Sequence, residues 1–171
     1  MSAIRKLSAV AIALVTVAGL ACSKDSPSPG DPGSRVTFAS WPSSLNSTFC
    51  IQGTSLVGDN KSGSITDNDC DSADIDPSDE GYFEIWRIKV ASSQVVTFDA
   101  RSGFDNYLSV WRVNSVSSSS VSASLLAEND DRSTSDLNAL VSVQLEPNVE
   151  YVVVVAGYDY SERGLYTLQI R

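Results

Sequence analysis

The chain contains no histidine. That excludes Ser-His-Asp and Cys-His catalysis, His-ligated zinc and an imidazole acid or base. Basic residues are scarce: 12 Lys and Arg stand against 21 Asp and Glu, a net charge of −9. A surface of that sign argues against nucleic acid as a partner, since phosphates require a basic footprint. Beyond residue 35 no apolar stripe of helical period appears. Carboxylates, Lys, Tyr and hydroxyls remain for chemistry, in 171 residues that make one domain of ordinary size.

The N-terminus reads as an address. Arg5 and Lys6 precede an apolar run from Leu7 to Leu20, which Ser8, Thr16 and Gly19 interrupt. The run is short for a membrane span and suits an export signal over residues 1–21. Gly19-Leu20-Ala21-Cys22 resembles a bacterial lipobox, with Gly in place of the usual Leu at its first position. Residues 22–34, rich in Pro, Ser and Gly, have nothing from which to build a core and read as a tether. Acylation of Cys22 would hold the domain (residues 35–171) to a membrane surface. An ordinary signal peptide is the alternative. Removing residues 1–21 takes away Arg5 and Lys6 and no acids, so the net charge moves from −9 to −11.

The chain has three cysteines, an odd number for an exported protein. With Cys22 acylated, Cys50 and Cys70 are left as a pair. A disulfide between them would stabilise the fold by roughly 3 kcal/mol on the loop-entropy view. Two buried thiols are the other reading.

From residue 35 the patterning has period two. Trp86, Ile88 and Val90 oppose Arg87 and Lys89. Val96, Phe98 and Ala100 oppose Thr97 and Asp99. Leu108 and Val110 oppose Ser109, while Val141, Val143 and Leu145 oppose Ser142 and Gln144. Tyr166, Leu168 and Ile170 oppose Thr167, Gln169 and Arg171. Tyr151–Ala156 is apolar on both faces and reads as a strand covered on both sides. Ser92-Ser93, Ser102-Gly103, Asn129-Asp130-Asp131, Glu146-Pro147-Asn148 and 161–164 supply turns. Shorter strand candidates lie near Val36–Phe38 and Ser62–Thr66. Residues 115–124, seven of them serine, read as a flexible loop. The expected fold is all-β, an antiparallel jelly-roll-like sandwich, with Trp41, Trp86 and Trp111 in its core or at its rim.

Four segments in order carry a family resemblance. Gly63-Ser64-Ile65-Thr66-Asp67-Asn68-Asp69-Cys70 comes first, then Ser102-Gly103-Phe104-Asp105-Asn106-Tyr107-Leu108. Leu125-Leu126-Ala127-Glu128-Asn129-Asp130-Asp131 follows. The last is Glu150–Gly157 with Gly164-Leu165-Tyr166-Thr167-Leu168. Together they resemble the bacterial pre-peptidase C-terminal domain over about residues 50–171. The resemblance implies a jelly-roll-like sandwich and a non-catalytic module, usually joined to secreted proteases or displayed on surface proteins. Some members bind collagen or other polymers, and some bind calcium. Two departures stand out. The serine-rich insertion lengthens one connection, and these 171 residues contain no peptidase domain.

Asp67, Asp69, Asp71, Asp74, Asp76, Asp79 and Glu80 crowd one stretch without a Lys or Arg. Clustered carboxylates suit Ca²⁺. The stretch is not an EF-hand, because Ser72 stands where Gly is needed and Ser78 where the bidentate Glu is needed. An irregular Ca²⁺ site, a solvated acidic loop and an acidic contact with a partner stay open for Asp67, Asp69 and Asp71. Asp105-Asn106 with Asp130 and Asp131 form a second candidate, either as turn-holding Asx residues or as a shared Ca²⁺ or ligand site. Tyr158 and Tyr160 offer rings for stacking on a sugar or a peptide, unless one packs on the sandwich. Asn46-Ser47-Thr48 is a glycosylation sequon with little meaning in a bacterial lipoprotein. Facing carboxylates can hydrolyse glycosides, but only in a deep cleft that a small sandwich seldom has.

The expectation is a non-catalytic protein of the bacterial cell envelope, lipid-anchored at the outer membrane or cell surface. Its sandwich module would bind a polysaccharide, another polymer or a protein, with no role for nucleic acid. The alternative is a structural accessory of an envelope or secretion complex, with a Ca²⁺-stabilised fold and no polymer ligand. A carboxylate-dependent hydrolase is the remote third.

Overall fold

The period-two segments become strands in a computed structural model, which describes residues 50–71, 81–117 and 120–171. In chain order these are β1 (Ile51–Ser55), β2 (Asn60–Ile65), β3 (Cys70–Asp71), β4 (Tyr82–Ile88) and β5 (Gln94–Ser102). After them come β6 (Asn106–Val116), β7 (Val121–Asn129), β8 (Leu140–Leu145), β9 (Tyr151–Gly157) and β10 (Gly164–Ile170). One sheet has the order β1-β4-β9-β6-β7, with β3 also paired to β4. The other has the order β2-β10-β5-β8. The pairings are antiparallel except β1 with β4, which is parallel. The expected signal, tether and Cys22, together with Val36–Phe38, Trp41, Asn46 and the acids from Asp74 to Glu80, lie outside the described residues.

The alternating apolar residues meet between the sheets. Trp86 and Ile88 of β4, Leu108 and Val110 of β6, and Val153 and Val155 of β9 pack against Val96 and Phe98 of β5 and Leu168 and Ile170 of β10. β9 is apolar on both faces for a reason. Val152 and Val154 join Phe83, Ile85, Trp111 and Val113 in a second buried cluster on the far side of the six-stranded sheet. Burying apolar surface at about 25 cal/mol per Å² makes both clusters the main source of stability.

The main core holds one polar chain. Trp86 Nε1 donates to the Tyr166 hydroxyl at 2.8 Å, which donates to Glu84 Oε2 at 2.6 Å. A Cβ on Gly63 would run into Glu84 Oε2 and the Tyr166 ring, so this strand position admits glycine only. Burial raises the Glu84 carboxyl above the usual range, against the lowering effect of the Tyr166 hydrogen bond.

The serine-rich stretch is a hairpin, which corrects the flexible-loop reading. β6 runs on to Val116 and β7 starts at Val121. Every second residue is apolar here: Val121 and Ala123 are buried in the second cluster, and Ser122 and Ser124 are exposed. The serines are thus the outward half of a strand pattern. Ser120 N donates to Ser117 Oγ at 3.0 Å, and Ser117 N to Ser120 O at 2.8 Å, closing the turn. Cys50 and Cys70 are joined as a disulfide with Cα atoms 5.6 Å apart, tying the start of β1 to β3. Asn148 takes φ 62° in the turn before β9, a conformation Asn tolerates better than most residues.

Candidate functional site

One end of the sandwich gathers the connections β5–β6, β7–β8 and β9–β10. Asn106, fully buried, ties them: its Nδ2 donates to Ser102 Oγ (2.7 Å) and Asn138 Oδ1 (3.1 Å), and its Oδ1 accepts Ala139 N (2.9 Å). Asn106 therefore does structural work, as turn-holding Asx residues do. Its neighbour Asp105 lies among acids. Burial first, then the charges of Asp131, Glu162, Asp130 and Asp159, push its pKa up to about 6. Asp131 is raised too, by burial and then by Asp130 and Asp136. Oδ1 of Asp105 and Oδ1 of Asp131 are both buried without a hydrogen-bond partner. The two loops are thus brought into one electrostatic neighbourhood. Even so, among the described residues no three His, Cys, Asp or Glu side chains are grouped to hold a metal ion.

The described acids of the first stretch, Asp67, Asp69 and Asp71, are dispersed over other tasks. Asp69 Oδ2 accepts Thr66 N at 2.6 Å and Thr66 Oγ1 at 2.9 Å, which closes a turn. Asp71 Oδ1 accepts the Tyr160 hydroxyl at 2.8 Å. Asp67 is exposed, 3.9 Å from Arg163. Tyr158 and Tyr160 part company as well. Tyr158 is exposed, whereas Tyr160 is half-buried and meets the Tyr82 ring edge-on, 5.3 Å between centroids. They do not form an exposed pair.

The outer face of the four-stranded sheet is different in character. Thr97, Arg101, Ser142, Gln144, Thr167 and Gln169 point outward by strand alternation, opposite the core residues of β5, β8 and β10. Leu165 and Val95 are 79% and 62% exposed on the same side. Thr97 and Ser142 share a hydroxyl hydrogen bond of 2.8 Å across the strands. In their midst Asp99 is buried, its carboxylate ringed by three arginines: Arg101 Nε at 3.1 Å, Arg132 Nη2 at 2.5 Å and Arg171 Nη2 at 2.5 Å. Arg101 lies two residues along the same strand. Arg171 is held beside β5 by reciprocal backbone bonds with Thr97, and Arg132 arrives from the β7–β8 connection. Sequence reasoning missed this cluster. The alternation placed Asp99 outward, and Arg101 at i+2 shares its face, but Arg132 and Arg171 converge only through the fold.

Beside β1 a shallow cleft is lined by Thr54, Ser55, Leu56, Arg87, Ile88, Lys89 and Glu150. Its one carboxylate, Glu150, is already paired with Arg87 at 2.7 Å and Lys89 at 3.4 Å. Among the described residues the cleft therefore has no facing pair of carboxylates for glycoside chemistry.

No family model and no curated protein matches the chain. Solved structures of like fold do. The pre-peptidase C-terminal domain of a Bacillus anthracis collagenase is 13% identical, with TM-score 0.46, over 70% of this chain and 93% of that one. CorA, a surface-associated copper-binding protein of Methylomicrobium album BG8, is 9% identical, with TM-score 0.50, over 71% and 98%. PliG, a periplasmic inhibitor of g-type lysozyme from Aeromonas hydrophila, is 11% identical, with TM-score 0.41, over 71% and 97%. The likeness at such identities is one of fold. The family that the sequence motifs resemble is represented among these small β domains.

Proposed function

We propose that this protein is a non-catalytic binding module of the bacterial cell envelope, anchored through an acylated Cys22, that recognises a polymer with the outer face of its four-stranded sheet. The carrying observation is the contrast between the two outer faces. The six-stranded sheet buries Phe83, Ile85, Trp111 and Val154 on its outer side. The four-stranded sheet leaves a broad exposed surface of Thr, Ser, Gln and Arg side chains. Such a surface suits an extended chain with many hydroxyls better than a small substrate. The resemblance to a module often carried by secreted and surface proteins supports the envelope location, and the lipobox-like Gly19–Cys22 supports the anchor. Retention on a panel of immobilised polysaccharides and matrix proteins tests the reading. Retention by at least one polymer is expected. Retention by none would favour the structural-accessory alternative.

Calcium is a second reading, and one observation favours it. Asp105 and Asp131 each bury a carboxylate oxygen without a donor, with Asp130, Asp159 and Glu162 close by and no compensating cation among the charges that shift Asp105. A bound Ca²⁺ would satisfy those oxygens and relieve the repulsion. Millimolar Ca²⁺ should then raise the melting temperature, and Asp105→Asn should abolish the rise. An unchanged melting temperature would leave these acids as a turn-holding cluster.

A further inference from the structure

Eight Lys and Arg fall among the described residues, and three of them share one carboxylate. Asp99 has two oxygens to offer, whereas each guanidinium has five donors in a planar fork. Among the described residues, Asp136, 3.7 Å from Arg132, supplies the only other carboxylate paired with these arginines. Two carboxylates therefore serve three guanidiniums. The Arg132 Nε, buried, has no acceptor at all. Arg101 and Arg171 expose more than half of their side chains, 53% and 57%, on the open face of the four-stranded sheet. Their inward bonds to Asp99 fix the forks in place, so their remaining donors are held ready without the entropy cost that free arginine side chains bear.

We infer that the polymer recognised by this face is polyanionic, an acidic polysaccharide whose carboxylate or sulfate groups bind at Arg101, Arg132 and Arg171 around Asp99. The inference rests on the polymer-binding reading above. Charge complementarity selects the occupant. The chain carries −9 overall, so long-range electrostatics repel a polyanion everywhere except at a local excess of cations. Bidentate guanidinium contacts match the planar carboxylate and sulfate oxygens of such a chain. The flanking hydroxyl and amide side chains, Thr97, Thr167 and Gln169, match the sugar hydroxyls between the charges.

The test compares the whole protein on immobilised polygalacturonate, dextran sulfate and neutral dextran at several salt concentrations. Retention on one or both acidic supports, weakening steeply with salt, and none on neutral dextran is expected. The distribution between the two acidic supports distinguishes carboxylate from sulfate. Arg101→Gln with Arg171→Gln should weaken binding ten-fold or more, while Arg132 stays on Asp99 and the thermal melt is retained. Arg163→Gln, at the acidic end, should change nothing. Thr167→Lys, which adds a cation opposite Arg101 on β10, should tighten binding and keeps the inference testable if the double variant unfolds. Retention on neutral dextran alone, or unaltered binding by both the double variant and Thr167→Lys, would overturn the polyanion inference and leave polymer binding intact. No retention on any of a wide range of polymers would instead remove the polymer reading.

Discussion

Asp105 shows how one side chain records the cost of its surroundings. Its folded pKa, about 6, lies above the ordinary 3.8 because burial and four neighbouring acids disfavour the charge. The folded state therefore holds the proton more tightly than the unfolded chain. The stability this contributes is fully present below pH 3.8 and is lost as pH rises through 6. Glu84, raised by burial, acts in the same direction. Urea unfolding across pH 4 to 8 should accordingly show stability falling towards neutral pH. Asp105→Asn should flatten that fall and add roughly 1 kcal/mol at pH 7, after allowance for solvent screening. Tyr166 poses the opposite case, because its hydroxyl serves Trp86 and Glu84 at once. Tyr166→Phe strands both groups in the core and should cost about 2 kcal/mol in chemical denaturation. Glu84 was not legible as a core residue in the sequence. Its period placed it with Trp86 and Ile88, but only the fold supplies the Tyr166 hydroxyl that makes its burial tolerable.

The Ser-rich hairpin shows how composition misleads where period does not. Seven serines suggest a linker, yet Val116, Val121 and Ala123 carry enough apolar surface to anchor β6 and β7. Val121→Ser should destabilise the protein by about 2 kcal/mol through lost burial. Ser122→Ala, on the exposed side, should stay within about 0.5 kcal/mol. Equal effects in thermal melts would return the segment to a loop. Elsewhere the strands were legible because their alternation is strict: Val96, Phe98 and Ala100 fall in β5, Leu108 and Val110 in β6, and Val141, Val143 and Leu145 in β8. The parallel pairing of β1 with β4 was not legible, since no local signal in Ile51–Ser55 names a partner. The Cys50–Cys70 bond was accessible by counting cysteines. Its consequence, a pinned edge beside the second cluster, follows only from the pairing of β3 with β4.

At the scale of the whole molecule, charge is sorted. Acids crowd the connections at one end, around Asp105, Asp130, Asp131, Asp159 and Glu162. Three arginines gather on the open side of the four-stranded sheet. The sequence offered Asp105, Asp130 and Asp131 of the first group as one candidate and did not single out Asp159 or Glu162. It hid the second, whose members stand at 101, 132 and 171 and meet only through tertiary packing. The two Tyr positions fell between: adjacency suggested a pair, and the Tyr82 ring with Asp71 claims Tyr160. Recognition by the four-stranded sheet is the core of the proposal. Backbone amide NMR of the labelled protein, titrated with a retained polysaccharide, tests it most directly. Shifts concentrated at Thr97, Arg101, Thr167, Gln169 and Arg171 are expected. Shifts confined to Asp105, Asp131 and Tyr158 at the acidic end would contradict it.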